Sequence, residues 1–255
     1  MIIEYHRPNE VEEAVRLLRR DKPKTFPLAG GTRLRQFSGE DIAVVDLQNL
    51  PLDQLEVVGN TLIIGSMVRL SRFIEENIGE KAIQQLIERE FPQNIRNMAT
   101  IGGAILCENG RSELLAGLLA LDVQLVWLPG SKEIRLGDYL ALREHWETGS
   151  LLSEIHVPAN VQFRSESVRR TPVDQPQLSV SVCRWPSGRT RIVVGGFGNA
   201  PQLVLDGPTG AGAEKAIRSL LRQANDEWAS GEYRSEVGVV LLRRLMDALD
   251  EGKTA

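Results

Sequence analysis

The chain has few of the residues from which metal centres and disulfide frameworks are built. It contains two cysteines, Cys107 and Cys183, and three histidines, scattered over 255 residues. Disulfide-stapled folds, zinc sites and iron–sulfur sites need such side chains at short, repeated spacings. We therefore expect no disulfide framework and no metal site held by this chain alone. No nucleophile-and-base arrangement of a catalytic centre stands out either.

Long apolar runs and blocks of a single charge are also missing. The apolar runs are far shorter than the ~20 residues of a membrane-spanning helix, and the first residues, Met1–Pro8, show no signal-peptide pattern. The formal net charge is −4, with both signs spread along the chain, unlike the concentrated basic charge of a nucleic-acid binder. These absences predict a cytoplasmic protein with no membrane span and no nucleic-acid partner.

Two pairs of glycines, each close to a threonine, are the most informative feature that is present. The pair Gly30-Gly31 precedes Thr32, and the pair Gly102-Gly103 follows Thr100. Each pair is expected after a strand or extended segment. Glycines let a main chain turn sharply and bring its N–H groups against an anion. Taken alone, each pair is more often an ordinary turn; together they predict two loops that grip the diphosphate of a dinucleotide.

The pattern of polar and apolar residues predicts an α+β fold in three parts. A compact β-α-β-type unit is expected over residues 1–53, and a larger mixed unit over residues 54–160. After residue 160, polar and apolar residues alternate in short strands, as in an antiparallel meander, and two helices follow. Residues 161–255 are therefore predicted to form a separate α+β domain.

Several helix ends and one hairpin carry local signals. Asn9 is positioned to cap the first helix, and Ser112 is positioned to cap a helix in the middle of the chain. Gly59-Asn60 predicts the turn of a β-hairpin. The last two helices are expected at Ala213–Trp228 and Ser235–Leu249.

Six stretches, in one order along nearly the whole chain, carry a family resemblance. They are Leu28–Leu34, Ile95–Gly103 with its Arg-Asn-x-x-Thr-Ile-Gly-Gly core, Glu113–Asp122, Leu152–Pro158, Arg169-Arg170 and Glu232–Arg234. Together they resemble the FAD-binding medium subunit of the molybdenum hydroxylases. That group includes the flavin subunits or domains of xanthine dehydrogenase and aerobic carbon monoxide dehydrogenase.

The resemblance implies a two-part FAD-binding module followed by a C-terminal α+β domain, with the two glycine segments enclosing the FAD diphosphate. It implies partners as well. Electrons reach the flavin from iron–sulfur clusters in a small subunit, which receive them from the molybdopterin cofactor of a large subunit. They then pass to NAD, oxygen or another acceptor. The implied cofactor-binding residues are Leu28, Ala29, Gly30, Gly31, Thr32, Arg33, Leu34, Thr100, Gly102, Gly103, Ala104 and Glu113.

Several positions depart from the family pattern, among them a lysine expected before Arg169-Arg170, where Arg164 is the nearest cation, and they leave a second interpretation open. Ala104 stands where the family usually has Asn, Glu113 stands where Asp is usual, and Glu108 places an acid near a site meant for phosphates. Each hydrogen bond lost to a charged ligand costs about 1.5–3 kcal/mol. The alternative is a subunit that retains the fold, has lost FAD and serves as a structural or assembly partner. A stand-alone flavoenzyme of the same superfamily is a more distant third.

Overall fold

Contacts between residues divide the chain into two compact units. The computed structural model describes residues 1–33, 41–79, 81–146 and 149–251. The first unit comprises residues 1–78, 92–107 and 124–157, and the second comprises residues 79–91, 108–123 and the chain from residue 158 onward. The three-part division at residues 53 and 160 stays a prediction. The last change of unit along the chain falls between Val157 and Pro158.

The first unit begins with a three-stranded parallel sheet. Its strands are β1 (Ile2–His6), β2 (Lys24–Leu28) and β3 (Ile42–Asp46), in the spatial order β1-β3-β2. Strand β3 pairs with both neighbours, and all five of its residues are buried. A continuous apolar strand of this kind is typical of a parallel sheet that is covered on both faces.

Helix α1 (Val11–Leu18) packs its apolar side into the same core as β3. The predicted cap at Asn9 is wrong. Glu10 precedes the helix and makes no side-chain capping bond. The Asn9 side-chain oxygen instead accepts a hydrogen bond from Asn49 Nδ2 at 3.0 Å. The Asn9 side chain thus bonds to a residue distant in sequence instead of a backbone N–H in the first turn of α1.

A five-stranded sheet supplies the remaining strands of the first unit, in the spatial order β4-β5-β8-β6-β7. The strands are β4 (Leu55–Val58), β5 (Thr61–Gly65), β6 (Gln124–Leu128), β7 (Lys132–Arg135) and β8 (Leu151–Pro158). Strands β4 and β5 form an antiparallel hairpin that turns at Gly59-Asn60, which confirms the prediction. Numbered in chain order through both units, the helices here are α2 (Leu70–Glu75), α4 (Gln93–Arg96), α5 (Ile101–Cys107) and α7 (Leu136–Leu142).

The second unit is built on a four-stranded antiparallel sheet in the order β12-β11-β10-β9. The strands are β9 (Gln162–Val168), β10 (Leu178–Arg184), β11 (Thr190–Gly195) and β12 (Gln202–Gly207), and the helices are α3 (Lys81–Glu90), α6 (Glu113–Ala120), α8 (Ala213–Leu221) and α9 (Gly231–Glu251). Helices α8 and α9 share a core with the sheet, and α6 packs against β10 and β11. The predicted meander and the α+β class are confirmed.

The two C-terminal helices have different boundaries from those that the apolar periodicity predicts. Helix α8 ends at Leu221 instead of Trp228, and α9 begins at Gly231 instead of Ser235. Just before α9, the Ser230 hydroxyl accepts a hydrogen bond from a backbone N–H in the first turn. Such polar capping bonds set helix ends and leave no trace in the apolar pattern.

Candidate cofactor-binding site

A cavity of about 280 Å³ in the first unit brings the two glycine segments together. We call it the glycine cavity. Its wall comes from the end of β2 and the turn after it, the residues that follow β5, helix α5, and the start of β8. The lining residues are Phe26–Arg33, Leu47, Ser66, Met67, Thr100, Gly102, Gly103, Leu106, Cys107 and Ser150–Leu152.

The first glycine segment has backbone N–H donors with no acceptor among the described residues. Gly31 has φ of +69°, the left-handed conformation that favours glycine. A Cβ on Gly30 would lie 2.0 Å from the Met98 carbonyl oxygen, so that no side chain fits there. The backbone N–H groups of Gly30, Gly31 and Thr32 find no acceptor in the described part of the chain. They are therefore available to an anion.

The second glycine segment is helical, and the expectation of a loop after an extended segment is wrong. Helix α4 precedes it, and Gly102 and Gly103 lie in the first turn of α5. The Thr100 hydroxyl accepts from the Gly103 N–H at 3.1 Å, and the Ile101 and Gly102 N–H groups donate to backbone carbonyls near the end of β5. The Ala104 N–H donates to the Thr100 carbonyl. This segment shapes the cavity while its own N–H groups are engaged.

Most of the residues implied by the resemblance line the glycine cavity. These are Leu28, Ala29, Gly30, Gly31, Thr32, Arg33, Thr100, Gly102 and Gly103. Leu34 lies outside the described residues. Ala104 is buried within α5 and is not a lining residue. Glu113 belongs to the second unit and does not line the cavity either.

Residues 1–160 match a family model described as the FAD binding domain in molybdopterin dehydrogenase. The chain belongs to this family. The matched stretch contains every residue that lines the glycine cavity. FAD is therefore the cofactor of this chain, and the chain is an FAD-binding component of a molybdenum hydroxylase-type oxidoreductase. The resemblance noted in the sequence is confirmed.

The sequence similarity between this FAD-binding chain and its relatives covers most of its length. The medium chain of carbon monoxide dehydrogenase from Hydrogenophaga pseudoflava is 30% identical over 207 residues, 73% of this chain and 70% of that protein. Caffeine dehydrogenase subunit beta from Pseudomonas sp. (strain CBB1) is 25% identical over 272 residues, 94% and 92% of the two chains. The uncharacterized protein YgfM of Escherichia coli (strain K12) is 28% identical along the full length of both.

Solved structures share the fold of this FAD-binding chain. Carbon monoxide dehydrogenase from Hydrogenophaga pseudoflava, in a form that lacks the Mo-pyranopterin moiety, has a TM-score of 0.81 at 20% identity, over 98% of this chain and 97% of that one. Quinoline 2-oxidoreductase from Pseudomonas putida 86 has a TM-score of 0.78 at 17% identity and the same coverage. At these identities the likeness shows the fold.

The residues of the glycine cavity fit the diphosphate of FAD. The first glycine segment offers unused N–H donors, and the second offers a wall with little side chain. A Cβ on Gly103 would meet only the Thr100 hydroxyl within 4 Å, at 3.2 Å. Glycine at this position therefore leaves open space that a larger residue would occupy.

Glu113 has internal partners in the second unit. Its side chain is 1% exposed, and its carboxylate lies 2.6 Å from Arg169 Nη2 and 3.7 Å from Arg89 Nε. The neighbouring Ser112 caps α6, as predicted, because its hydroxyl accepts from the Leu115 N–H at 3.0 Å. A buried carboxylate needs such compensation. The role predicted for Glu113 toward the cofactor stays a prediction.

Glu90, at the end of α3, has a carboxyl whose pKa lies far above its usual range. Burial raises its pKa to about 8, and the charges of Glu108 and Glu113 act in the same direction. The bond from the Leu114 N–H, at 2.8 Å, and the bond with Ser112 oppose the rise. Glu90 is therefore largely protonated at neutral pH.

Sequence reasoning missed several residues of the glycine cavity, among them Ser66 and Met67 after β5 and Leu106 in α5. No motif marks them, because they reach the site only through sheet and helix packing. Within residues 1–33, 41–79, 81–146 and 149–251, no cluster of His, Cys, Asp and Glu could hold a metal ion. No helix in those same ranges is both long and apolar enough to cross a membrane.

Proposed function

We propose that this chain is the electron-transfer subunit of a molybdenum hydroxylase complex, with FAD seated in the glycine cavity. In this proposal a large molybdopterin subunit oxidises the substrate, and iron–sulfur clusters in a small subunit carry the electrons to this chain. The electrons leave to an acceptor such as NAD. The single observation that carries the proposal is the convergence of both glycine segments on one cavity.

The relatives support the assembly part of the proposal. Two of them are named medium chain or subunit beta, and such names belong to proteins that work with other subunits. The match to YgfM extends over the full length of both chains. A chain of this family is therefore proposed to work as one component of a hetero-oligomer.

In the proposed site the chain contributes binding and orientation. FAD, when bound, supplies the redox chemistry. The N–H groups of Gly30, Gly31 and Thr32 would hold the diphosphate, whose negative charge suits a row of backbone donors. Gly102 and Gly103 carry no side chain, so that the main chain of α5 could lie close to the bound cofactor. The apolar lining from β2 and β8 would exclude water from the bound cofactor.

Gly103→Ala tests the proposed site. We expect native protein to bind one FAD per chain, and the variant to bind at least tenfold more weakly, because the new Cβ occupies cavity space. The unliganded variant should stay within about 1 kcal/mol of native stability, because the better helix propensity of alanine offsets the close contact of its Cβ with the Thr100 hydroxyl at 3.2 Å. Quenching of flavin fluorescence gives the affinity, and urea unfolding gives the stability.

Gly207→Ala is the matched control, because a Cβ there meets no atom closer than 3.5 Å. It should change neither affinity nor stability. Equal FAD affinity in native protein and the Gly103→Ala variant would refute the placement of the cofactor in this cavity.

The assembly-only alternative makes a different prediction. If the chain has lost FAD, native protein would show no flavin binding at saturating ligand and would still co-purify stoichiometrically with its partners. A pull-down at native expression level, with flavin and metal analysis of the complex, separates the two functions. If the chain is the proposed electron-transfer subunit, the purified complex should contain iron, molybdenum and one flavin per copy of this chain.

A further inference from the structure

Ser66 has a buried hydroxyl for which the described residues offer no hydrogen-bond partner. The residue follows β5, is 5% exposed and lines the glycine cavity. Its hydroxyl oxygen is shielded from solvent and has no hydrogen-bond partner among the described residues. Buried hydroxyls in proteins are almost always hydrogen-bonded. An orphaned one at the wall of a ligand site therefore needs an explanation.

The main chain of Ser66 is fixed, so that only the side chain is free to respond. The Ser66 N–H donates to the Ser153 carbonyl at 2.8 Å, and the Ser66 carbonyl accepts from the Gly102 N–H at 3.0 Å. A Cβ on Gly102 would lie 2.7 Å from the Ser66 Cβ. Rotation about χ1 moves the hydroxyl among three staggered positions without any change in this frame.

Ser153, in the same unit, shows what a structural serine looks like here. It is also 5% exposed, but its hydroxyl donates to the Val126 carbonyl at 3.0 Å. Both partners of that bond belong to the protein, so that the Ser153 hydroxyl needs no ligand to be satisfied. The two serines are equally buried, but the Ser153 hydroxyl has a protein acceptor, whereas the Ser66 hydroxyl borders the glycine cavity with no partner among the described residues.

We propose that Ser66 is a positioning residue whose hydroxyl turns into the glycine cavity and donates a hydrogen bond to the diphosphate of bound FAD. The inference rests on the proposed function, and it adds to the site a side-chain donor from the end of β5 that no motif indicates. The location favours the diphosphate, because Ser66 lies against Gly102, on the side-chain-poor wall beside Gly103 and Thr100. A phosphate oxygen is also a strong acceptor for a hydroxyl.

Ser66→Ala tests the inference with two readouts that should move in different directions. Without ligand, the variant should melt at the same temperature as native protein or higher, because alanine removes an unsatisfied buried group. Its FAD affinity should fall about ten- to hundredfold, the loss typical of a hydrogen bond to a charged group. ADP should lose affinity in parallel, whereas riboflavin, which has no diphosphate, should bind both proteins equally.

Ser153→Ala is the matched control and should show the reverse pattern. It should lower the melting temperature and leave FAD affinity unchanged at a temperature where the variant is folded. A lower melting temperature of the unliganded Ser66→Ala variant would refute the inference, since it would reveal a structural partner for the hydroxyl. Unchanged FAD affinity in that variant would also refute it, while the proposed function would stand. Absence of FAD binding by native protein would overturn both.

Discussion

Glu90→Gln should remove a large part of the pH dependence of stability in the second unit. Burial raises the pKa of Glu90 from 4.5 to about 8. Because the folded-state pKa lies above the unfolded value, the protonated form is favoured in the fold. The stabilisation is fully present below pH 4.5, and it is lost as the pH rises to about 8. Glutamine stays neutral throughout and keeps a side-chain oxygen for the Leu114 N–H, which Glu90 Oε2 accepts at 2.8 Å.

The size of the effect follows from the two pKa values of Glu90. A change from 4.5 to about 8 corresponds to about 5 kcal/mol of unfolding free energy between the two ends of this pH range. About 3 kcal/mol of this is already lost at pH 7. The carboxylates of Glu108 and Glu113 lie near Glu90, and their negative charges also raise its pKa. The arginines beside Glu113 are present in both proteins and cancel in the comparison.

Urea unfolding at pH 5, 7 and 9 measures this prediction. The stability of the Glu90→Gln variant relative to native protein should rise with pH and level off above pH 8. Glu88→Gln, at an exposed position on the same helix, is the control and should follow the native profile. Parallel profiles for the Glu90→Gln variant and native protein would refute the reasoning, and so would a variant less stable than native protein at pH 9.

Two further predictions concern packing. Gly30→Ala should lower the unfolding free energy by more than about 2 kcal/mol, because its Cβ would lie 2.0 Å from the Met98 carbonyl oxygen; an unchanged urea midpoint would contradict the close approach. Arg234→Met should cost about 3–5 kcal/mol, because this guanidinium is 0% exposed and binds both Asp226 oxygens and several backbone carbonyls. Thermal unfolding measures the loss, and a melting temperature within a degree of the native value would contradict it.

Short-range signals predicted the local structure wherever no distant partner competes. The Gly59-Asn60 turn and the Ser112 cap both form as expected, because each depends on residues within a few positions in the chain. The Asn9 cap does not form, because the Asn9 side-chain oxygen accepts a hydrogen bond from Asn49, forty residues away in the chain. Helix α5 was missed because two adjacent glycines have a low helix propensity. Tertiary bonds to the end of β5 and the Thr100 cap overcome that propensity.

The sequence alone was enough to identify the family, the α+β class and the two glycine segments that line the glycine cavity. These features depend on residue types at fixed spacings, which a chain carries in any conformation. Only the tertiary structure decided that the first segment holds the unused N–H donors and that Ser66 joins the wall. It also decided that Glu113 lies between two arginines. Each of these depends on which atoms distant in sequence come within about 3 Å of one another, and no local pattern encodes such distances.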